Sequence, residues 1–120
     1  MSTINTMPPK RIDKVNELLR REISALFARE LEFAKGTVVT VASVKSESRL
    51  EHATVYVSIY PSGKKDATLT VIQKRSPFIQ GLLNRRLHMA HIPQLRYEYD
   101  VEGNELFELD SLIDKANTEE

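Results

Sequence analysis

RSPFIQGLLNRRL, residues Arg75–Leu87, sets a proline in the third place of an otherwise helical pattern. Inside a helix, proline removes a backbone hydrogen bond, crowds the preceding turn and costs about 3 kcal/mol. At the first helical position it costs little, because that amide has no intrahelical partner anyway. Serine immediately before it is a good N-cap. Ser76-Pro77 fits the second case, so the stretch reads as two helices meeting at Ser76. Phe78, Ile79, Leu82, Leu83 and Leu87 then share the apolar face of the second helix.

A helix start at this point has an electrostatic consequence. Its unpaired N–H groups and partial positive charge favour anions, phosphate above all. Lys74 and Arg75 stand beside it, and Lys64 and Lys65 lie one helix earlier. Arg85, Arg86, His88 and His91 extend the polar side of the second helix. Ser62–His91 holds six Lys/Arg and one Asp, a balance of +5. Such an edge suits a nucleic-acid backbone. It equally suits an ordinary helical hairpin whose last-turn cations oppose the first helix's dipole. The local sequence leaves these two readings open.

Toward the N-terminus, Lys10–Phe33 follows a helical period through Ile12, Val15, Leu19, Ile23, Leu26 and Phe27, and Gly36 ends it. Lys14, Glu17, Arg20, Arg21 and Arg29 form a mostly basic back. Thr37–Val44 is rich in β-branched residues and predicts a strand. After the polar KSESR, HATVYVSIY (His52–Tyr60) alternates cleanly, with Ala53, Val55, Val57 and Ile59 on one face. The pair predicts an antiparallel hairpin, stopped by Pro61-Ser62-Gly63. Lys64–Arg75 reads as a short helix, although Thr68–Ile72 would suit a strand by residue preference, and Phe78–Met89 reads as the second helix with Gly81 inside it. Leu95–Val101 alternates again, and residues 105–115 suggest a final acidic turn or short helix. The order is α-β-β-α-α-β, a three-stranded sheet with helices on its apolar face, an α+β architecture.

The 120 residues fit one domain: a lead-in at 1–9, a body at 10–102 and an acidic tail at 103–120. The formal charge of zero hides an asymmetry. Residues 1–97 carry 16 Lys/Arg and 8 Asp/Glu (+8), while 98–120 carry one Lys and nine acids (−8). A basic body beside an acidic segment suggests a polyanionic partner. There are no cysteines, which excludes a disulfide framework, thiolate catalysis and thiolate zinc sites. MSTINTMPPKR lacks the apolar core of a secretory signal, and no stretch approaches the ~20 apolar residues needed to span a bilayer. The expectation is a soluble, cytoplasmic protein.

RIDKVNELLRREISALF, LEHATVYVSIY, SPFIQGLLNRRLHMAHIPQLRYEYD and LDSLIDK, in this order and spacing, resemble the ribosome-binding factor A family over Met7–Asn117. The resemblance implies a KH-like (type II) fold with a helix–kink–helix in place of the Gly-x-x-Gly loop. It implies binding to the immature small (30S) ribosomal subunit and its 16S rRNA, assisting late maturation and rRNA processing, without catalysis. Two departures stand out. Where the family kink usually reads Ala-x-Gly, this chain has Arg75, Ser76 and Pro77, and proline brings neither an N–H nor a positive φ. Where the family commonly has arginine before the His-Ala of the second strand, this chain has Glu51.

The candidate RNA-contacting residues are Lys64, Lys65, Lys74, Arg75, Ser76, Arg85 and Arg86, with Arg11 and Lys14 in second rank. Tyr56 and Tyr60 lie opposite the apolar strand face and could stack bases, though partial burial is the plainer reading. Tyr97 and Tyr99 share parity with Leu95, which assigns them to the core. His88 and His91, three apart on a helix, lack a third metal ligand. Neither a phosphate-loop nor a Rossmann signature occurs. The expectation is therefore a monomer with no cofactor, metal, membrane or small-molecule substrate. The competing reading is a non-catalytic adaptor docking a basic protein through the acidic tail.

Overall fold

The computed structural model describes residues 9–103. Its elements are α1 (Pro9–Glu30), β1 (Val38–Ser46), β2 (His52–Tyr60), a single 3-10 turn (Ser62–Lys64), α2 (Lys65–Arg86) and β3 (Gln94–Tyr99). The suggested element at 105–115, and all of the acidic tail beyond Gly103, lie outside the described residues.

The sheet order is β1-β2-β3. β1 and β2 form the expected antiparallel hairpin, and β3 pairs parallel to β2. A parallel neighbour needs a crossover, and α2 supplies it. Ala53, Val55, Val57 and Ile59 are all buried, as the alternation of β2 predicts. On β1 the register shifts between Val41 and Ser43. This bulge at Ala42 turns both Val41 and Val44 inward although they stand three apart. It explains why the β1 sequence does not alternate cleanly.

Both helices pack on this apolar face. Leu19, Ile23, Leu26 and Phe27 of α1 are buried in one cluster with Ile72, Ile79 and Leu83 of α2 and with the strand residues. Each fully buried Leu or Ile contributes about 1.5–3 kcal/mol relative to exposure. Asn16 Oδ1 accepts from the Ser46 N–H at 3.0 Å, tying α1 to the end of β1. α1 ends at Glu30, sooner than its apolar period suggests. Phe33 still packs against the core from the connection that follows, and the chain then reverses through Gly36 at φ 84°. In the β1–β2 turn Leu50 adopts φ 57°, a left-handed conformation costly for leucine, with its side chain buried.

The KH-like α+β class holds, with one correction to the element order. No second helix starts at Ser76-Pro77. α2 runs unbroken from Lys65 to Arg86, with Pro77 inside it. The physical reason is a single inward stripe, Thr68, Ile72, Ser76, Ile79 and Leu83, that crosses the junction in steps of four, four, three and four. Ending the helix at Ser76 would pull half of this stripe off the sheet. The carbonyl that Pro77 leaves without its N–H donor belongs to Gln73. Gln73 and Pro77 are both exposed, so water can serve that carbonyl. α2 also ends at Arg86, which places His88 and His91 in the exposed connection to β3 rather than on a helix.

Gly81 lies in α2 away from any close neighbour: a Cβ added there would meet nothing within 4 Å. Glycine disfavours a helix by about 1 kcal/mol relative to alanine. Gly81→Ala is therefore expected to raise stability by about that amount, read as a higher thermal midpoint. An unchanged or lower midpoint would show that this position carries a constraint the packing does not display.

Tyr97 and Tyr99 pack against the core, as parity predicted. The Tyr97 hydroxyl is buried without a hydrogen bond of standard geometry. Burial raises its pKa above the ordinary value, and the Ser76 hydroxyl opposes that shift. The folded state thus retains the phenol proton to higher pH than the unfolded chain does. This contribution to stability is constant below about pH 10 and is lost as pH rises from there through the folded pKa. Tyr97→Phe should abolish that alkaline component and, near pH 7, leave stability within about 0.5 kcal/mol or raise it. Urea midpoints of both proteins at neutral and alkaline pH test this; parallel losses in the two would refute it.

Candidate nucleic-acid interface

The unbroken α2 changes what could hold an anion. There is no helix N-terminus at Ser76, so no backbone N–H cluster is presented there. Ser76 is half-buried and turned toward Tyr97 instead of capping a helix. The true start of α2 lies at Lys65, where Asp66 in the first turn offsets part of the dipole. What remains for a polyanion is an array of cationic side chains along α2.

The candidate residues divide by their surroundings. Lys64 is exposed in the 3-10 turn, and Lys65 is half-buried with its ammonium 5.0 Å from the Tyr99 ring centroid. Lys74, Arg75 and Arg85 are exposed, and among the described residues no carboxylate pairs with them. Arg86, one residue beyond Arg85 and so about 100° round the helix, points to α1. Its Nε donates to Glu22 Oε2 at 2.8 Å. The basic run Arg85–Arg86 is thus split: among the described residues one cation has no carboxylate partner and the other is engaged.

α1 divides similarly. Arg20 forks onto Glu17, with Nη2 to Oε1 at 2.6 Å and Nε to Oε2 at 2.9 Å. That hydrogen bond holds the exposed Glu17 carboxyl below the usual carboxylate range. Arg29 stands 3.8 Å from Glu30. Arg11 and Lys14, in the first turns, are exposed without such partners among the described residues. Lys74 and Arg85 lie eleven residues apart on α2, a rise of about 16 Å.

Phe78 is the residue whose place sequence reasoning missed. It is 40% exposed, on the outer side of α2, with the Arg75 guanidinium 4.6 Å from its ring centroid. Val71, one face-repeat earlier, is 38% exposed. The signal was present: continuing the stripe from Thr68 and Ile72 through position 76 puts Phe78 off the core face. Assuming a new helix at Pro77 hid it.

Tyr56 and Tyr60 lie on the sheet face opposite the helices. Tyr56 is half-buried with the Lys45 ammonium 5.7 Å from its ring, and Tyr60 is 40% exposed. Glu47, Glu51 and His52 bring ligand-capable atoms within 4.8 Å of one another at the β1–β2 turn, largely open to solvent. Among the described residues no helix is long and apolar enough to cross a membrane.

Comparison with known proteins agrees with this architecture. A family model described as ribosome-binding factor A matches residues 11–113. Ribosome-binding factor A of Clostridium botulinum (strain Eklund 17B) is 34% identical over 114 residues, covering 92% of this chain and 97% of that protein. The Thermomicrobium roseum protein of the same name is 39% identical over 95 residues, covering 78% and 74%. The crystal structure of ribosome-binding factor A from Thermus thermophilus superposes with a TM-score of 0.65 at 19% identity, covering 73% of this chain and 93% of that one. At that identity the superposition speaks for the fold alone. Sequence relatives and family model together identify the chain: it belongs to the ribosome-binding factor A family.

Proposed function

We propose that this protein is a non-catalytic, cytoplasmic assembly factor that binds the immature small ribosomal subunit as a monomer, through its 16S rRNA, during late maturation and rRNA processing. Family membership supports a ribosomal partner. The observation that carries the RNA reading is the outer face of α2, where Lys74, Arg75 and Arg85 stand exposed and free of carboxylates among the described residues. Phosphates are the partner such a row accommodates, since each contact releases condensed counterions. Lys64, Lys65, Arg11 and Lys14 extend the positive surface at lower rank. Arg86 contributes only after leaving Glu22, and Ser76, half-buried on the inward side of α2, ranks last among the candidates. Of the two readings the sequence left open, nucleic-acid edge and plain helical hairpin, the exposed side chains favour the edge, without help from a helix dipole.

The test is binding of the full chain to purified small subunits by the triple variant Lys74→Gln/Arg75→Gln/Arg85→Gln. Affinity should fall by at least tenfold, and the dependence on salt should become shallower. Equal affinity of variant and parent would end this reading. So would survival of small-subunit binding only when the segment 103–120 is retained, which is the adaptor's signature.

A further inference from the structure

The geometry points to Phe78 as a stacking platform for an unpaired nucleotide of the bound RNA, with Gly81 leaving room beside it and Lys74 and Arg85 holding the flanking phosphates. This deepens the proposed function and rests on it. Four residues of α2 lie on one outward stripe, in steps of four, three and four: Lys74, Phe78, Gly81 and Arg85. The stripe therefore reads cation, aromatic, gap, cation.

Each member has a physical oddity that this single ligand explains. Phe78 is a large apolar ring, 40% exposed on a helix that buries Ile72, Ile79 and Leu83 on its other side. Its contact is the Arg75 guanidinium, a planar group that stacks on aromatic rings and on nucleobases alike. Gly81 disfavours the helix, yet no neighbour demands it, since a Cβ there would meet only open space. A missing side chain one turn beyond an exposed ring leaves a flat surface where a sugar or a backbone can approach closely. Lys74 and Arg85 bracket that surface and have no carboxylate partner among the described residues.

The occupant follows from these chemistries. In a duplex the base faces are stacked within the helix and cannot reach Phe78, so the nucleotide must be unpaired. An apolar peptide is the poorer fit. Protein hot spots sit in fully desolvated pockets, whereas this ring stands on a convex helix among cations without carboxylate partners among the described residues. A base on Phe78 gains stacking of the kind that is tolerant of sequence.

The experiment measures equilibrium binding of the full chain to a single-stranded oligoribonucleotide of mixed sequence and to the same strand annealed as duplex. Phe78→Ala should weaken single-strand binding about tenfold, with the salt dependence unchanged because no phosphate contact is lost. Gly81→Leu, which fills the gap with a good helix former, should weaken it likewise. The chain contains no tryptophan, so Phe78→Trp introduces a sole indole. That variant should retain affinity, and its emission should be quenched by the single strand and not by the duplex. Circular dichroism confirms that each variant is folded. Parental affinity in Phe78→Ala, or an unquenched indole on bound single strand, overturns the inference. If Phe78→Ala weakens binding to small subunits but not to the oligonucleotide, a ribosomal protein touches this ring. The inference then falls while the proposed function stands. If the charge variant above binds like its parent, the function falls first and takes this inference with it.

Discussion

Gln80→Leu is expected to destabilise the protein by about 2–4 kcal/mol, although leucine preserves volume and helix preference. Gln80 is 8% exposed, a polar side chain inside the α2–β3 junction. Its Nε2 donates to the Pro93 carbonyl and to Asn84 Oδ1, both at 3.1 Å. Its Oε1 accepts from the Leu95 N–H at 2.9 Å. Among the described residues β3 pairs only with β2, so the side chain takes up backbone groups at the start of the strand that no neighbouring strand there serves. Leucine would leave a buried C=O and a buried N–H unpaired, each costing about 1–3 kcal/mol. Urea denaturation measures the effect as a lower midpoint with an unchanged slope. A midpoint within experimental error of the parent would mean that water replaces the amide, and that β3 is not held at its start by Gln80.

The second large effect is on binding. If about five phosphates are contacted, the logarithm of the binding constant falls against the logarithm of salt with a slope of roughly −3.5 to −4.5. Raising salt from about 50 to 200 mM should then weaken binding to small subunits by roughly 10²-fold. The row proposed to make these contacts is Lys74, Arg75 and Arg85, with Lys64 and Lys65 at the start of α2. Removing the first three charges should bring the slope down by two to three, since each phosphate contact contributes slightly less than one. Arg86→Gln is the informative contrast. Its guanidinium is engaged with Glu22, so its removal should change the slope little. A slope near zero for the parent would exclude phosphate contacts as the source of affinity. A loss for Arg86→Gln as large as for Arg85→Gln would show that the ion pair to α1 opens on binding.

Much of the fold was legible in the residues. The alternation of His52–Tyr60 located β2 at its observed ends and assigned its buried face correctly. The period of α1 located Leu19, Ile23, Leu26 and Phe27 in the core. Both signals are strong because the pattern and the burial are imposed by the same partner, one sheet face against one helix stripe. β1 was legible as a strand but not in its facing, because the bulge at Ala42 breaks the two-residue period. The end of α1 was overrun because Phe33 is apolar and in phase, yet it reaches the core from outside the helix.

The candidate site was legible in composition and misread in geometry. Lys64–Arg86 showed its charge, but neighbours in sequence proved to have different partners. Arg85 faces outward and Arg86 meets Glu22, 64 residues away. Ser76 turned inward to Tyr97 and Phe78 outward to Arg75, the reverse of what a new helix at Pro77 implies.

By itself the sequence determined the strands, the first helix, the basic body and the absence of thiol chemistry. These follow from side-chain periodicity and residue type, which act over a few neighbours. Only the tertiary structure decided that α2 passes through Pro77. The local penalty is about 3 kcal/mol. Against it stands the burial of Ile79 and Leu83, which follow the proline, on one surface built by α1 and the sheet. Each of those contributes about 1.5–3 kcal/mol, so the stripe outweighs the proline. The surface that rewards it comes from residues tens of positions away, beyond the reach of any local reading.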